Sequence, residues 1–236
     1  MISNNTEKLL RKLRSKKYRW SLEMFIAEGP KVVSELLELG MKPVHLFSNQ
    51  DSWRKKAALI LDSTQFKTIS QLETSNEVLA VFEFPKFERD TISKVSLVLD
   101  SINDPGNLGT IIRTADWFGL KQVYCTHGST DVFNAKCVQS TMGSIARVQV
   151  IYDSEENIFE RLKSSEIYVA EMNGENIFDF NAGNSNISLV MGSESHGPSD
   201  FWKKNSKALT IPKRGDSNIE SLNVAQACAI LLSRMS

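Results

Sequence analysis

Three polar segments carry the side chains of this chain that could do chemistry together. They are Asp104-Pro105-Gly106-Asn107-Leu108-Gly109 running on to Arg113, then Gly192-Ser193-Glu194-Ser195-His196-Gly197, then Ile211-Pro212 through Ser221-Leu222-Asn223. Each follows a short apolar run that reads as a strand, and open α/β sheets place their ligands at the carboxyl ends of strands. The glycines at 106 and 109 do not make a G-x-G-x-x-G dinucleotide turn, no G-K-[ST] phosphate loop occurs, and the serines of the second segment do not read G-x-S-x-G. A nucleotide-dependent oxidoreductase on a Rossmann sheet and a hydrolase elbow are therefore disfavoured. A plainer reading stands beside each residue: Asn107 and Asn223 as helix caps, Gly192 and Gly197 as turn glycines.

Other reactive types offer less. Cys125, Cys137 and Cys228 are odd in number and widely spaced, which fits neither a disulfide framework nor zinc ligation, so they read as reduced, small apolar residues. His45 and His127 have no partners at metal-ligand spacing, and no metal is expected. His196, next but one to Glu194, either shuttles a proton or is a solvated loop histidine.

The elements around these segments alternate. In the first part of the chain, strands are expected at 24–27, 44–48, 66–69 and 78–82, with helices at 30–39 and 53–61. Residues 83–94 break the periodicity with Pro85 and a run of charges, and read as a linker. Beyond it, strands at 96–100, 122–125, 148–152, 167–170, 188–191 and 208–211 alternate with helices at 107–118, 135–142 and 155–163, and a helix at 222–234 closes the chain. Strands alternating with helices imply an α/β sheet with helices on its faces. The expected organisation is a domain at 1–92 and a second at 93–236.

The first twenty residues hold Lys8, Arg11, Lys12, Arg14, Lys16, Lys17 and Arg19 against one acid, Glu7, with Leu9, Leu10 and Leu13 as an apolar stripe. This reads as a single amphipathic basic helix, either solvated on its charged face or contacting phosphates through Arg11, Lys12 and Lys16. Over all 236 residues, 28 basic residues balance 28 acidic ones and 41% are hydrophobic, so affinity for a polyanion must come from such local patches. The longest apolar runs fall far short of the roughly 20 residues that span a bilayer, and no secretory signal opens the chain. No membrane association and a cytoplasmic location are expected.

Asn107-Leu108-Gly109-Thr110-Ile111-Ile112-Arg113-Thr114-Ala115-Asp116-Trp117-Phe118-Gly119 closely resembles the first motif of the SpoU/TrmH family of RNA methyltransferases. Leu189-Val190-Met191-Gly192-Ser193-Glu194 with Gly197 resembles the second, and Ile211-Pro212 with Ser221-Leu222-Asn223-Val224-Ala225 the third, all in the family's order. Phe25-Ile26-Ala27-Glu28-Gly29 is similar to the opening of the family's amino-terminal substrate module. Between Gly215 and Ser221 the third segment is longer than the common pattern, which bears on the loop beside the cofactor.

The resemblance implies a knotted (trefoil) SPOUT methyltransferase domain at the carboxyl end, behind a smaller α/β substrate-binding domain. It implies S-adenosylmethionine as cofactor, held around Met191, Gly192, Ile211 and Leu222, and methyl transfer to a ribose 2′-hydroxyl of structured RNA, with ribosomal RNA favoured over transfer RNA. By the same resemblance Arg113 stands at the hydroxyl, Asn107 and Glu194 orient it and the loops, and Ser221 and Asn223 position the RNA or the third loop. Arg113 suits a phosphate clamp better than a base, because a guanidinium stays protonated up to a pKa above about 12. A homodimer is implied, and the apolar closing helix fits one. The rival reading is a non-catalytic RNA-binding protein of the same fold.

Overall fold

The computed structural model describes residues 2–72, 77–87, 93–181, 183–215 and 218–235. In chain order the first elements are α1 (Asn4–Lys12), α2 (Lys16–Leu22), β1 (Met24–Glu28), α3 (Pro30–Glu38), β2 (Pro43–Ser48), β3 (Leu59–Ile60), α4 (Ser63–Ile69) and β4 (Val78–Glu83). There follow β5 (Val95–Leu99), α5 (Pro105–Trp117), β6 (Gln122–Thr126), α6 (Ala135–Thr141), β7 (Gln149–Asp153) and α7 (Glu155–Leu162). The chain closes with β8 (Glu166–Asn176), β9 (Ile187–Met191), α8 (Asp200–Asn205), β10 (Lys207–Thr210) and α9 (Val224–Met235). Packing groups residues 1–87 with 131–146 as one unit, and 88–130 with 147–236 as the other. Part of the segment read as a linker, residues 88–92, lies outside the described residues.

The first unit is built on a four-stranded sheet in the order β1-β4-β2-β3, antiparallel except for the β2–β3 pair. Four expectations are corrected here. Residues 66–69 are the end of helix α4 and not a strand: the Asp62 side chain accepts the Gln65 amide at 2.8 Å as an N-cap, and buried Phe66 and Ile69, three apart, follow a helical period. The helix expected at 53–61 is a 3-10 turn, Asp51–Lys56, that ends at Ala57 with φ +61° before β3. The basic amino-terminal helix is two helices, because the chain breaks at Ser15, whose extended backbone starts α2. Leu10 and Leu13 are buried against Phe66 and Ile69, as the apolar stripe implies. The helix read at 135–142 as part of the second domain is α6, and it packs on β1 in the first unit with Cys137, Val138 and Thr141 buried.

Arg19 is not a surface charge. Its guanidinium is buried on Asp131, with Nε and Nη2 donating to Oδ2 at 2.8 and 2.6 Å, while Nη1 donates to the carbonyls of Leu13 and Arg14, both at 2.9 Å. Asp131 Oδ1 accepts the Trp20 indole N–H at 2.9 Å and the Phe133 amide at 3.2 Å, and the Phe133 ring stacks on Phe84.

The second unit holds six strands, all parallel, in the order β10-β8-β9-β5-β6-β7. Every residue of β5, β6 and β9 is buried, and most are apolar, as a strand covered on both faces requires. Trp202 of α8, a helix absent from the sequence reading, is fully buried with Ile158, Leu162 and Val169. Beyond the expected 167–170, β8 runs on to Asn176, and its register against β10 jumps: Ala208 faces Val169 but Leu209 faces Glu175.

Candidate functional site

The three polar segments leave the sheet at the ends of β5, β9 and β10, and the ends of β5 and β9 are tied together. Asp100, immediately after β5, donates its amide to the Met191 carbonyl at 2.8 Å, and its buried carboxylate accepts the Ser199 amide at 2.8 Å and the Thr126 hydroxyl at 3.1 Å. Asp104 then caps α5 by accepting the Asn107 amide at 2.8 Å. Asn107 is therefore not the cap, and its side chain is available for another task.

That task is a directed chain of three side chains. Asn223 Oδ1 accepts the Ala225 amide at 2.9 Å, capping α9, which leaves its Nδ2 to donate to Asn107 Oδ1 at 3.0 Å. Asn107 Nδ2 in turn donates to Glu194 Oε1 at 2.7 Å. The backbone of α9 thus sets the orientation of both amides, and Glu194 Oε1 is placed as the acceptor at the end of the chain. The bland reading of Asn223 as a cap and the functional reading hold at once, on opposite sides of one amide.

Glu194 sits in a tight loop closed by Ser193 and Gly197, which exchange backbone hydrogen bonds of 3.2 and 2.9 Å. Gly197 has φ +67°, and a Cβ at Gly192 would lie 2.0 Å from the Pro198 nitrogen, so the backbone approach itself excludes a side chain there. Ser195 Oγ and His196 Nδ1 are 2.8 Å apart.

Beside this loop a cavity of about 520 Å³ opens, within the range of small-molecule sites. Met191, Gly192, Ile211 and Leu222 all line it, with Glu194, His196 and Ser221. Its walls are mostly apolar, with Leu209, Pro212, Val224 and Leu231 completing them. These residues fit a nucleoside with a charged sulfonium tail: apolar surface for the base, and polar and charged side chains for the rest. The sequence reading missed Glu171, Met172, Lys203, Lys213 and Arg214, which also line the cavity. Only Gly174 hints at the bulge that brings in the first two, because its missing side chain lets it approach the Ala208 carbonyl.

Arg113 is not brought to this chain of amides. It is exposed on α5, about 9 Å along the axis from Asn107 and roughly 120° around it, with no ion-pair or hydrogen-bond partner among the described residues. Trp117, one turn further along α5, is 86% exposed.

In the first unit, Arg11, Lys12 and Lys16 are all exposed, and Lys12 Nζ stands 5.7 Å from the ring of Tyr18. Arg14 is partly engaged with the carbonyls of Thr68 and Ser70, and Arg19 is withdrawn on Asp131. All three cysteines are buried; burial pushes the Cys228 thiol up to about 12 and the Cys125 thiol further, so both stay neutral near pH 7. Among the described residues no group of three His, Cys, Asp or Glu stands where it could hold a metal ion.

Comparison with known proteins matches both parts of the chain to described families. The SpoU rRNA Methylase family matches residues 94–233, and the MRM3-like substrate binding domain matches residues 4–81. A 23S rRNA (guanosine(2553)-2′-O)-methyltransferase of Bacillus subtilis is 32% identical over 97% of this chain and 95% of its own length. An RNA methyltransferase structure of the TrmH family from Porphyromonas gingivalis covers 100% of this chain and 98% of its own at 37% identity, with a TM-score of 0.84. The structure of an AdoMet-bound rRNA methyltransferase from Sinorhizobium meliloti covers 100% and 95% at 27% identity, with a TM-score of 0.82.

Proposed function

The chain belongs to the SpoU rRNA Methylase family, and from that premise we propose how its own residues carry out methyl transfer from S-adenosylmethionine to a ribose 2′-hydroxyl of ribosomal RNA. The protein is an S-adenosylmethionine-dependent RNA 2′-O-methyltransferase. The observation that carries the residue-level reading is the junction of the apolar cavity with the Glu194–Asn107–Asn223 chain at the end of the sheet.

When bound, the cofactor supplies a methyl group on a sulfonium sulfur. Met191, Ile211 and Leu222 clasp its adenosyl part, and Gly192 lets the loop come close. Glu194, held by Asn107, and Ser221 face the cavity opening where a ribose would enter. Holding the hydroxyl in line with the methyl is the main catalytic task, because alignment of reactants is worth several kcal/mol on its own. Arg113 clamps phosphate and stabilises developing negative charge. The exposed Arg11, Lys12 and Lys16 of the first unit add sequence-independent contacts to RNA, in keeping with the substrate-binding family matched there.

Three further readings complete the proposal. The strand order β10-β8-β9-β5, in which β9 sits inside β8, supports the trefoil threading that the resemblance implies. Two copies pair with two-fold symmetry, which would cover Trp117 and part of α9. No helix among the described residues is long and apolar enough to cross a membrane, in keeping with a cytoplasmic enzyme.

The test is a map of ribose methylation on total RNA from cells with and without the gene, together with transfer of labelled methyl to purified ribosomal and transfer RNA. One lost ribosomal position, restored by the purified protein, is the expected result. Methylation of transfer RNA alone would move the substrate assignment. Cofactor and RNA binding without transfer would make the chain a non-catalytic member of the fold.

A further inference from the structure

The cavity contains a charge pair that no motif of the chain accounts for. Glu171 and Lys203 both line it, with Lys203 Nζ 3.2 Å from Glu171 Oε1. That contact lacks hydrogen-bond geometry: Glu171 Oε1 is buried and, among the described residues, accepts no hydrogen bond. A water-shielded carboxylate oxygen held by an ammonium without hydrogen-bond geometry keeps unused acceptor capacity, which calls for an explanation at the site where it occurs.

The fold goes to some length to put it there. β8 pairs with β9 only as far as Val169, and with β10 it skips five residues, 170–174, before pairing resumes at Glu175. Bulges of this kind re-aim side chains beside functional sites. This one is pinned at both sides, by the Thr210 hydroxyl donating to the Met172 carbonyl at 2.9 Å and by the approach of Gly174 to the Ala208 carbonyl. Its outcome is that Glu171 and Met172 become cavity wall.

We propose that Glu171 is a polar anchor for the cofactor, its Oε1, ion-paired but accepting no hydrogen bond among the described residues, taking one from a cofactor donor while Lys203 faces the opposite charge. This rests on the cavity being the cofactor site. Three kinds of donor are available on S-adenosylmethionine: the α-ammonium, the ribose hydroxyls and the adenine amino group. The pairing of a carboxylate with an ammonium in the same wall is the complement of an amino-acid zwitterion, which favours the methionyl end. The excess positive charge of the sulfonium cofactor further suits a carboxylate in the wall.

Calorimetry on the full chain tests it with two probes, S-adenosylmethionine and methylthioadenosine, which has the nucleoside and thioether but no amino-acid tail. Glu171→Gln should weaken S-adenosylmethionine about 10- to 100-fold, the range for losing a charged hydrogen bond, with an unchanged melting temperature. Loss confined to S-adenosylmethionine assigns the charged methionyl end, α-ammonium and sulfonium together; an equal loss for methylthioadenosine assigns the nucleoside. Glu171→Asp should recover part of the loss in either case. Unchanged affinity in Glu171→Gln, or a loss that tracks a lowered melting temperature, would overturn the anchor while leaving the cavity assignment standing. Failure of the unaltered protein to bind either probe would overturn both.

Discussion

Each unit holds a polar network, and the two are built to opposite ends. In the first unit Arg19 and Asp131 are both 5% exposed, and every oxygen of the carboxylate and every nitrogen of the guanidinium has a partner. In the second unit Glu194, Asn107 and Asn223 form a chain whose last member, Glu194, is exposed beside a cavity and, among the described residues, has one of its oxygens engaged. A closed network in low dielectric fixes structure, because opening it strands a buried charge. An open one is positioned at one end and available at the other, as a site that must meet a substrate requires.

The sharpest way to break this contrast is Asp131→Ala, which strands the Arg19 guanidinium. It should cost about 3–5 kcal/mol of stability, read as a drop in denaturant midpoint. A loss under 1 kcal/mol would mean that the buried pair is not what holds residues 131–146 to the first unit. The same packing argues against deleting residues 1–92 as a test of RNA binding, since the deletion removes the partners of 131–146.

Arg113→Ala probes the open side. Turnover should fall by about 10² to 10³, the loss typical of one preorganised charge-stabilising group, with cofactor affinity and stability retained. Single-turnover methyl transfer decides it, and near-normal rates would remove Arg113 from the chemistry. A pH–rate profile with no new ionisation separates a clamp from a base.

Reversing Arg11, Lys12 and Lys16 to glutamate should weaken RNA binding and flatten its salt dependence by about 2–3 units of slope, since each phosphate contact adds roughly 0.7–0.9. The fold should persist, because Leu10 and Leu13 dock α1 and are untouched. An unaltered slope would show a solvated face.

A smaller effect separates the two duties of Asn223. Asn223→Asp keeps an N-cap oxygen but loses the donor to Asn107, so melting temperature should hold while turnover drops about 2- to 10-fold, the worth of one hydrogen bond. Equal activity would reduce the chain of amides to a helix cap.

The smallest effect is expected at the cysteines. Burial raises the thiol pKa of Cys125 and Cys228, so the reactive thiolate is scarce below their folded values; in the folded protein at pH 8 alkylation should be negligible, and it should become complete in denaturant. Rapid labelling of the native protein would contradict their burial.

Much of this molecule is written in local pattern. The strands of the second sheet are legible because both faces are covered, so β5, β6 and β9 are buried and mostly apolar, and the three motifs are legible because they stand where strands end. Elements too short for a period to show itself were misread. Residues 66–69 hold two apolar side chains that suit either a strand or a helix, and only the Asp62 cap, outside that window, decides for the helix. Charge is equally ambiguous in one dimension. Arg19 looks like its neighbours Arg14 and Lys17 in the sequence, yet Asp131, 112 positions away, takes it out of solvent. Glu171 likewise becomes cavity wall through a jump in register between β8 and β10. Period, caps and turns arise between residues a few positions apart, so the sequence by itself determined the strand ends and the residues they carry. Which carboxylate meets which cation, and which oxygen is left without a donor, is decided by packing between distant segments, and therefore only by the tertiary structure.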